Sequence, residues 1–246
     1  MTDMSNSPVR PGHLRSLEEI EDSDKYIRTR ALYREALGGV DVFLRPTASG
    51  LTVLSLDADN CPSMIGVGTR GTKQHLLHTL PPDPEKVRVA AAGYAAKRAS
   101  LVRPSLEENY ALRLVSSALA NGLKLDSGYF ITQEWRLPSY GKIDVLSADP
   151  EQGCLVIIEL KKSEHEARIV SGKKGGNAWD QARAYANMVH RHRHKLYPFF
   201  ERLGRALAHN HSAPEEMRDL SLDFDKEPRT LVSWPGGRFS MSESST

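Results

Sequence analysis

The sequence predicts an α/β protein, with an N-terminal α+β region followed by a larger domain in which helices flank a sheet. Three observations lead there. Two runs rich in Val and Ile, Ile143 to Leu146 and Cys154 to Leu160, flank the turn-forming stretch Ala148-Asp149-Pro150-Glu151-Gln152-Gly153 and read as a β-hairpin. Alanine-rich segments with helical spacing lie on either side of that hairpin. The breakers Pro81-Pro82-Asp83-Pro84 and Arg103-Pro104 divide the first hundred residues from the rest. At 246 residues the chain is long enough to bury a proper core, as one large or two small domains.

Taken in order, residues 1–12 carry Ser, Asn, Pro and Gly without periodicity and are expected to be disordered. Residues 13–100 form the α+β region. Residues 16–37 read as one helix closed by Gly38-Gly39. Val40–Leu44 and Leu51–Leu56 read as strands around Pro46-Thr47-Ala48-Ser49-Gly50. A further helix is expected over Glu85–Ser100. The larger domain spans residues 101–239, opening with a helix from Ser105 to about Ala120. Beyond the hairpin, Asn177–Ala186 reads as a helix and a second helical stretch surrounds Phe199–Ala208. Short strands are expected at Leu220–Phe224 and Thr230–Trp234, before a polar tail, residues 240–246. The Gly-rich loop 171–176 is expected to be mobile and able to close over a bound strand, and no internal repeat is evident.

The chemistry concentrates on the hairpin. Asp144 sits on its first strand and Glu159-Leu160-Lys161 closes the second, the one acid-x-Lys triplet in the chain. Alternation puts Glu159 and Lys161 on one face and Leu160 on the other. Two acids hold a hard divalent cation through oxygen, and a lysine beside them orients water or offsets phosphate charge. The competing reading is a solvent-facing salt bridge at a strand end, and the hairpin alone leaves both open. On the following helix, Gln181 and Tyr185 lie four residues apart and share a face.

Asp144, Glu159 and Lys161, followed by a Gln181-x-x-x-Tyr185 helix, resemble the PD-(D/E)XK phosphodiesterase superfamily in its RecB-like branch. The resemblance covers roughly residues 101 to 195. It implies a restriction-endonuclease-like core, a mixed central sheet flanked by helices. It also implies magnesium (or manganese) held by Asp144, Glu159 and the carbonyl of Leu160, with Lys161 assisting the water and Gln181 and Tyr185 lining the substrate side. An acid on the preceding helix is implied too, and Glu107 and Glu108 are the candidates. Ser105 and Glu108 fit a capping box, which favours Glu107 for the site. Ile143 precedes Asp144, so the literal Pro-Asp is missing. The activity implied is magnesium-dependent hydrolysis of DNA phosphodiester bonds, in defence, restriction or repair. The alternative is a catalytically inactive nuclease fold that binds nucleic acid or assembles with protein.

Charge and composition agree with these expectations. The formal net charge is only +2, yet Lys161, Lys162, Lys173 and Lys174 crowd near the proposed site. Arg183 begins a basic run with no acid between Asp180 and Glu201. Lys162, Lys173, Lys174 and Arg183 are therefore candidate contacts to nucleic acid, expected to be DNA. The region 13–100 is a candidate surface for a homodimer or a protein partner. Two cysteines, Cys61 and Cys154, give no disulfide framework and argue against a four-cysteine cluster. No apolar stretch approaches membrane-spanning length and no signal-peptide core begins the chain, so a cytoplasmic location is expected.

Several patterns carry less. Gly66-Val67-Gly68-Thr69-Arg70-Gly71 lacks the strand and helix of a dinucleotide fingerprint. Asp57-Ala58-Asp59-Asn60 begins like a calcium loop but meets Pro62 where glycine is required. In His190-Arg191-His192-Arg193-His194 only His190 and His194 would share a helix face, no third ligand is near, and the interleaved arginines would repel a cation. Trp179 reads as a core anchor.

Overall fold

The computed structural model describes residues 7–56, 76–98, 106–137, 141–168 and 177–240. They fall into two compact units, one within Val9–Ser105 and the other from Leu106 onward. The loop 171–176, the two motifs between Asp57 and Gly71, Cys61 and residues 241–246 lie outside the described residues.

In the first unit, α1 (Pro11–Glu21) and α2 (Ser23–Ala36) precede the hairpin β1 (Val42–Thr47) and β2 (Gly50–Ser55), then β3 (Leu76–Leu77) and α3 (Pro84–Arg98). Where one helix was expected over residues 16–37 there are two. The break falls at Asp22, whose side chain accepts from the Lys25 N–H and caps the second helix. The first helix starts at Pro11, inside the stretch expected to be disordered, of which residues 7–12 are described. Proline suits that first turn because its missing N–H has no intrahelical partner to lose. At Gly12 an added Cβ would stand 2.0 Å from the Ala48 carbonyl oxygen, so only glycine lets this helix rest on the hairpin turn. The three-stranded sheet runs β1-β2-β3, which leaves Pro46 on an edge strand where no ladder donor is needed. Leu17, Ile20, Tyr26, Tyr33, Phe43, Leu44, Leu51 and Val53 are fully buried and form the core. Each such side chain contributes about 1.5–3 kcal/mol by leaving water.

The second unit opens with α4 (Leu106–Ala120), then β4 (Lys124–Leu125), β5 (Gly128–Leu137), β6 (Gly141–Asp149) and β7 (Cys154–Leu160). It continues through α5 (Glu164–Arg168), α6 (Ala178–Arg191), α7 (Arg193–Asn210) and α8 (Glu215–Arg218) to β8 (Arg229–Trp234) and β9 (Gly237–Ser240). The strands form one mixed sheet, β4-β5-β6-β7-β8-β9, antiparallel except where β7 and β8 run parallel. The strand expected at Leu220–Phe224 is absent: that segment has no regular structure, and the Leu222 N–H donates to the Glu201 carboxylate instead of to a neighbouring strand.

Helices cover both faces of this sheet. Val232 and Trp234 of β8 pack with Ala167 and Ala178, from α5 and α6. The intervening Ser233 bonds the Tyr110 hydroxyl of α4 at 2.7 Å. Because side chains alternate along a strand, α6 and α4 lie on opposite faces. Trp179 packs half-buried against the Val232 cluster, as a core anchor should. Trp135 of β5 stacks near Phe199 and Phe200 of α7, with ring centroids 5.2 and 5.0 Å apart. The histidine run does not lie on one helix. It straddles a junction, with α6 ending at Arg191 and α7 beginning at Arg193. Among the described residues, no helix is long and apolar enough to cross a membrane.

Candidate active site

Strand pairing sets the geometry. The β6–β7 register joins Val145 to Ile158 and Leu146 to Ile157, which places Asp144 across from Glu159. Opposed residues of an antiparallel pair point to the same face, so the two carboxylates share one side of the sheet. The Leu160 N–H donates to Asp144 Oδ2 at 2.9 Å, fixing the aspartate against the end of β7. Lys161 follows the last residue of that strand, and its own N–H donates to the Ser233 carbonyl of β8. Its ammonium returns to donate to Glu159 Oε1 at 2.6 Å.

Glu159 is the unusual member. It is 1% exposed, and its Oε2 has no hydrogen-bond partner. Burial raises its pKa to about 8, and the Asp144 charge adds to the rise against the pull of Lys161. The Asp144 pKa is also raised, first by burial, although the Leu160 amide, Lys161 and Lys142 oppose it. Glu107, half-buried on α4, is raised by burial too and feels both Lys161 and Asp144. Burial works against the Lys161 charge, yet Glu159, Glu107 and Asp144 together hold its pKa above the ordinary value. Three acids and one lysine thus form a single electrostatic unit.

The helix α6 supplies the other wall. Its N-cap Asn177 and Asp180 exchange hydrogen bonds in a capping box, which sets where the helix begins. Gln181 Nε2 donates to the Tyr185 hydroxyl at 3.0 Å, so the pair acts as one group. The Tyr185 hydroxyl lies over Gly141 at the start of β6, where an added Cβ would be 2.6 Å away and φ is +120°. This places the Gln181/Tyr185 pair at the end of the strand that carries Asp144.

The remaining expected residues stand as follows in the fold. Lys162 is exposed, pairs with Glu166 at 2.5 Å and also feels the Glu107 charge, so it stands at the edge of the cluster. Arg183 is exposed on α6. The Glu108 side chain, Lys173 and Lys174 lie outside the described residues. Two charged residues that the sequence reading passed over do belong here. Lys142 acts on both Asp144 and Glu107, and Glu134 acts on Asp144. The signal for Lys142 was its position two residues before Asp144, hence on the same strand face.

The donor set suits a divalent cation. A buried carboxylate oxygen without a donor, beside a second carboxylate, is an environment a hard cation would relieve. Among the described residues no group of three or more His, Cys, Asp or Glu side chains is close enough to hold a metal by itself. Magnesium is commonly bound by one or two carboxylates, with water and phosphate oxygens completing its shell. A cavity of about 630 Å³ lies elsewhere, lined by Tyr110, Leu114, Ile158, Leu231 and Arg238 among others, and contains none of these acids. No protein-family model, curated protein or solved structure matches this chain.

Proposed function

We propose that the chain is a magnesium-dependent nuclease of PD-(D/E)XK type that hydrolyses DNA phosphodiester bonds. The observation that carries this reading is Glu159. A fully buried carboxylate with one oxygen unsatisfied, facing Asp144 and touched by Lys161, is expensive for the fold and useful for cation chemistry. The mixed sheet with helices on both faces is consistent with a restriction-endonuclease-like core.

Asp144 and Glu159 would hold the cation, with the Leu160 carbonyl as a further oxygen donor. When bound, magnesium supplies Lewis acidity toward a phosphoryl oxygen and lowers the pKa of a coordinated water. Lys161 is placed to orient the attacking water and to offset the charge that grows on the phosphorus oxygens. Its bond to Glu159 keeps the ammonium within the site before substrate arrives. Glu107 supports the same cluster from α4, through its field at Lys161 and Asp144. The Gln181/Tyr185 pair offers an amide and a hydroxyl where a phosphate would enter past Gly141.

Cleavage of circular single-stranded and supercoiled DNA with magnesium tests the reading. Asp144→Ala is expected to abolish cutting while leaving DNA binding intact. Binding without cutting by wild type would instead favour an inactive binding module. Loss of folding in the variant would make the aspartate structural.

A further inference from the structure

Lys142 lies on β6 two residues before Asp144, on the same strand face. In the β5–β6 register its direct partner is Arg136. Like charges at directly opposed positions of an antiparallel pair destabilise it. A pair of cations at this place is therefore not explained by the sheet. Arg136 is exposed and Lys142 is part-exposed, so both can reach a ligand.

Glu134 completes the arrangement. The same register, Gln133 to Val145 and Trp135 to Ile143, leaves Glu134 opposite Asp144. Its carboxylate pairs with the Lys142 ammonium. Its backbone has φ +53°, a left-handed conformation held by a non-glycine residue inside a strand. Such strain persists where the surroundings enforce it, and it collects at functional sites. A half-exposed ion pair alone would require neither the strained backbone nor the facing arginine. The Lys142 charge also acts on Asp144 and Glu107, against the rise that burial gives them, which places it within the same electrostatic cluster.

The geometry points to Lys142 and Arg136 as a phosphate subsite on the Asp144 flank, with Glu134 a built-in competitor that holds the Lys142 ammonium until a backbone phosphate displaces it. This rests on the nuclease reading, since the phosphate is that of a nucleotide next to the one cleaved. Lys161 serves the scissile group from β7, and Lys142 holds the neighbouring one from β6. The displaced Glu134 carboxylate stays on β5 and, being part-exposed, turns to water as the phosphate takes its place at Lys142.

The test is the affinity of the full chain for a fluorescent single-stranded oligonucleotide in EDTA, measured across a salt titration. Lys142→Met is expected to weaken binding about tenfold and to reduce the slope of log affinity against log salt by about 0.7, the value of one phosphate contact. Arg136→Met should lower the slope similarly, and Lys142→Arg should retain it. Glu134→Gln should tighten binding, because the competitor is gone. Opposite signs for Lys142→Met and Glu134→Gln are the signature, since a structural ion pair would lose equally from either side. Unchanged melting temperatures would show that both part-exposed substitutions fold. An unchanged affinity and slope in Lys142→Met, or weaker binding in Glu134→Gln, overturns the subsite while wild-type binding and cleavage preserve the nuclease. Wild type that neither binds nor cuts nucleic acid overturns the nuclease reading, and the subsite falls with it.

Discussion

Glu159→Gln keeps the shape of the buried side chain and removes its ability to ionise. In the folded protein Glu159 has its pKa raised from 4.5 to about 8, chiefly by burial and then by Asp144. An acid raised in this way lends stability that is fully present below the unfolded value and lost as pH rises through the folded one. The window here is pH 4.5 to about 8, with a slope of about 1.4 kcal/mol per unit. At pH 7 the penalty reaches about 3 kcal/mol. The glutamine amide gives some of that back, because its NH₂ group inherits the unsatisfied place of Oε2, at about 1–2 kcal/mol. A net gain of about 1–2 kcal/mol at pH 7 is expected in EDTA, growing toward pH 8, together with loss of cleavage in magnesium. Trp135, Trp179 and Trp234 are the only tryptophans and all belong to the unit that holds Glu159, so urea unfolding read by tryptophan fluorescence isolates that unit. If Glu159→Gln is less stable than wild type with the same pH slope, the glutamate is ionised and held by Lys161 as an ordinary ion pair. Retained cleavage would separately remove Glu159 from the chemistry.

Other perturbations test the frame around the site. His13 is buried on α1, accepts from the Arg10 N–H, and has its pKa lowered to about 4 by burial and then by Arg10. The first unit should therefore lose stability as pH falls from 6.5 to about 4, by about 3 kcal/mol in total. His13→Gln should flatten that loss, and an NMR titration of the ring with a midpoint near 6.5 would exclude it. Gly141→Ala combines a positive φ with a Cβ 2.6 Å from the Tyr185 hydroxyl, and is expected to cost about 1–3 kcal/mol and to slow cleavage. Adding Tyr185→Phe should recover part of the stability, and simple additivity in that double-mutant cycle would refute the contact. Phe200→Ala empties a fully buried place beside Trp135 and should cost about 3–5 kcal/mol, visible in the same tryptophan signal.

The hairpin was legible because its two strands are runs of Val and Ile around an unmistakable turn, and a register then follows from the turn itself. Helix α6 was legible for a similar reason, since alanine spacing and Asn177 mark its start. The strand β5 was missed although Gly128–Leu137 contains Tyr, Phe, Ile, Thr and Trp, all favourable in sheets. Its Gln, Glu and Arg blur the alternation that would have announced it, and Phe130/Thr132 carry a register shift. Missing β5 meant missing Glu134 and Arg136, whose meaning depends on which residues of β6 they face. The break at Asp22 was hidden because the residues on both sides of it suit helices. What turns the chain is a single side chain capping the second helix, a local hydrogen bond that periodicity does not register.

Four features that a stability argument would remove lie together at one end of the second unit's sheet. Glu159 is buried with an unsatisfied oxygen, and Arg136 faces Lys142. Glu134 takes a left-handed backbone, and Gly141 is forced by φ and by the Tyr185 hydroxyl. Elsewhere in that unit, along Leu155–Ile158 and around Trp135, Phe199 and Phe200, the packing is apolar. Where they meet beside Asp144, the sheet's apolar body offsets the cost of its charged end. A purely structural ion pair would be cheaper as two apolar side chains. Substituting Glu159 and Lys161 together by Leu and Met should therefore stabilise the unit by more than Glu159→Gln alone, because it also removes the desolvated ammonium.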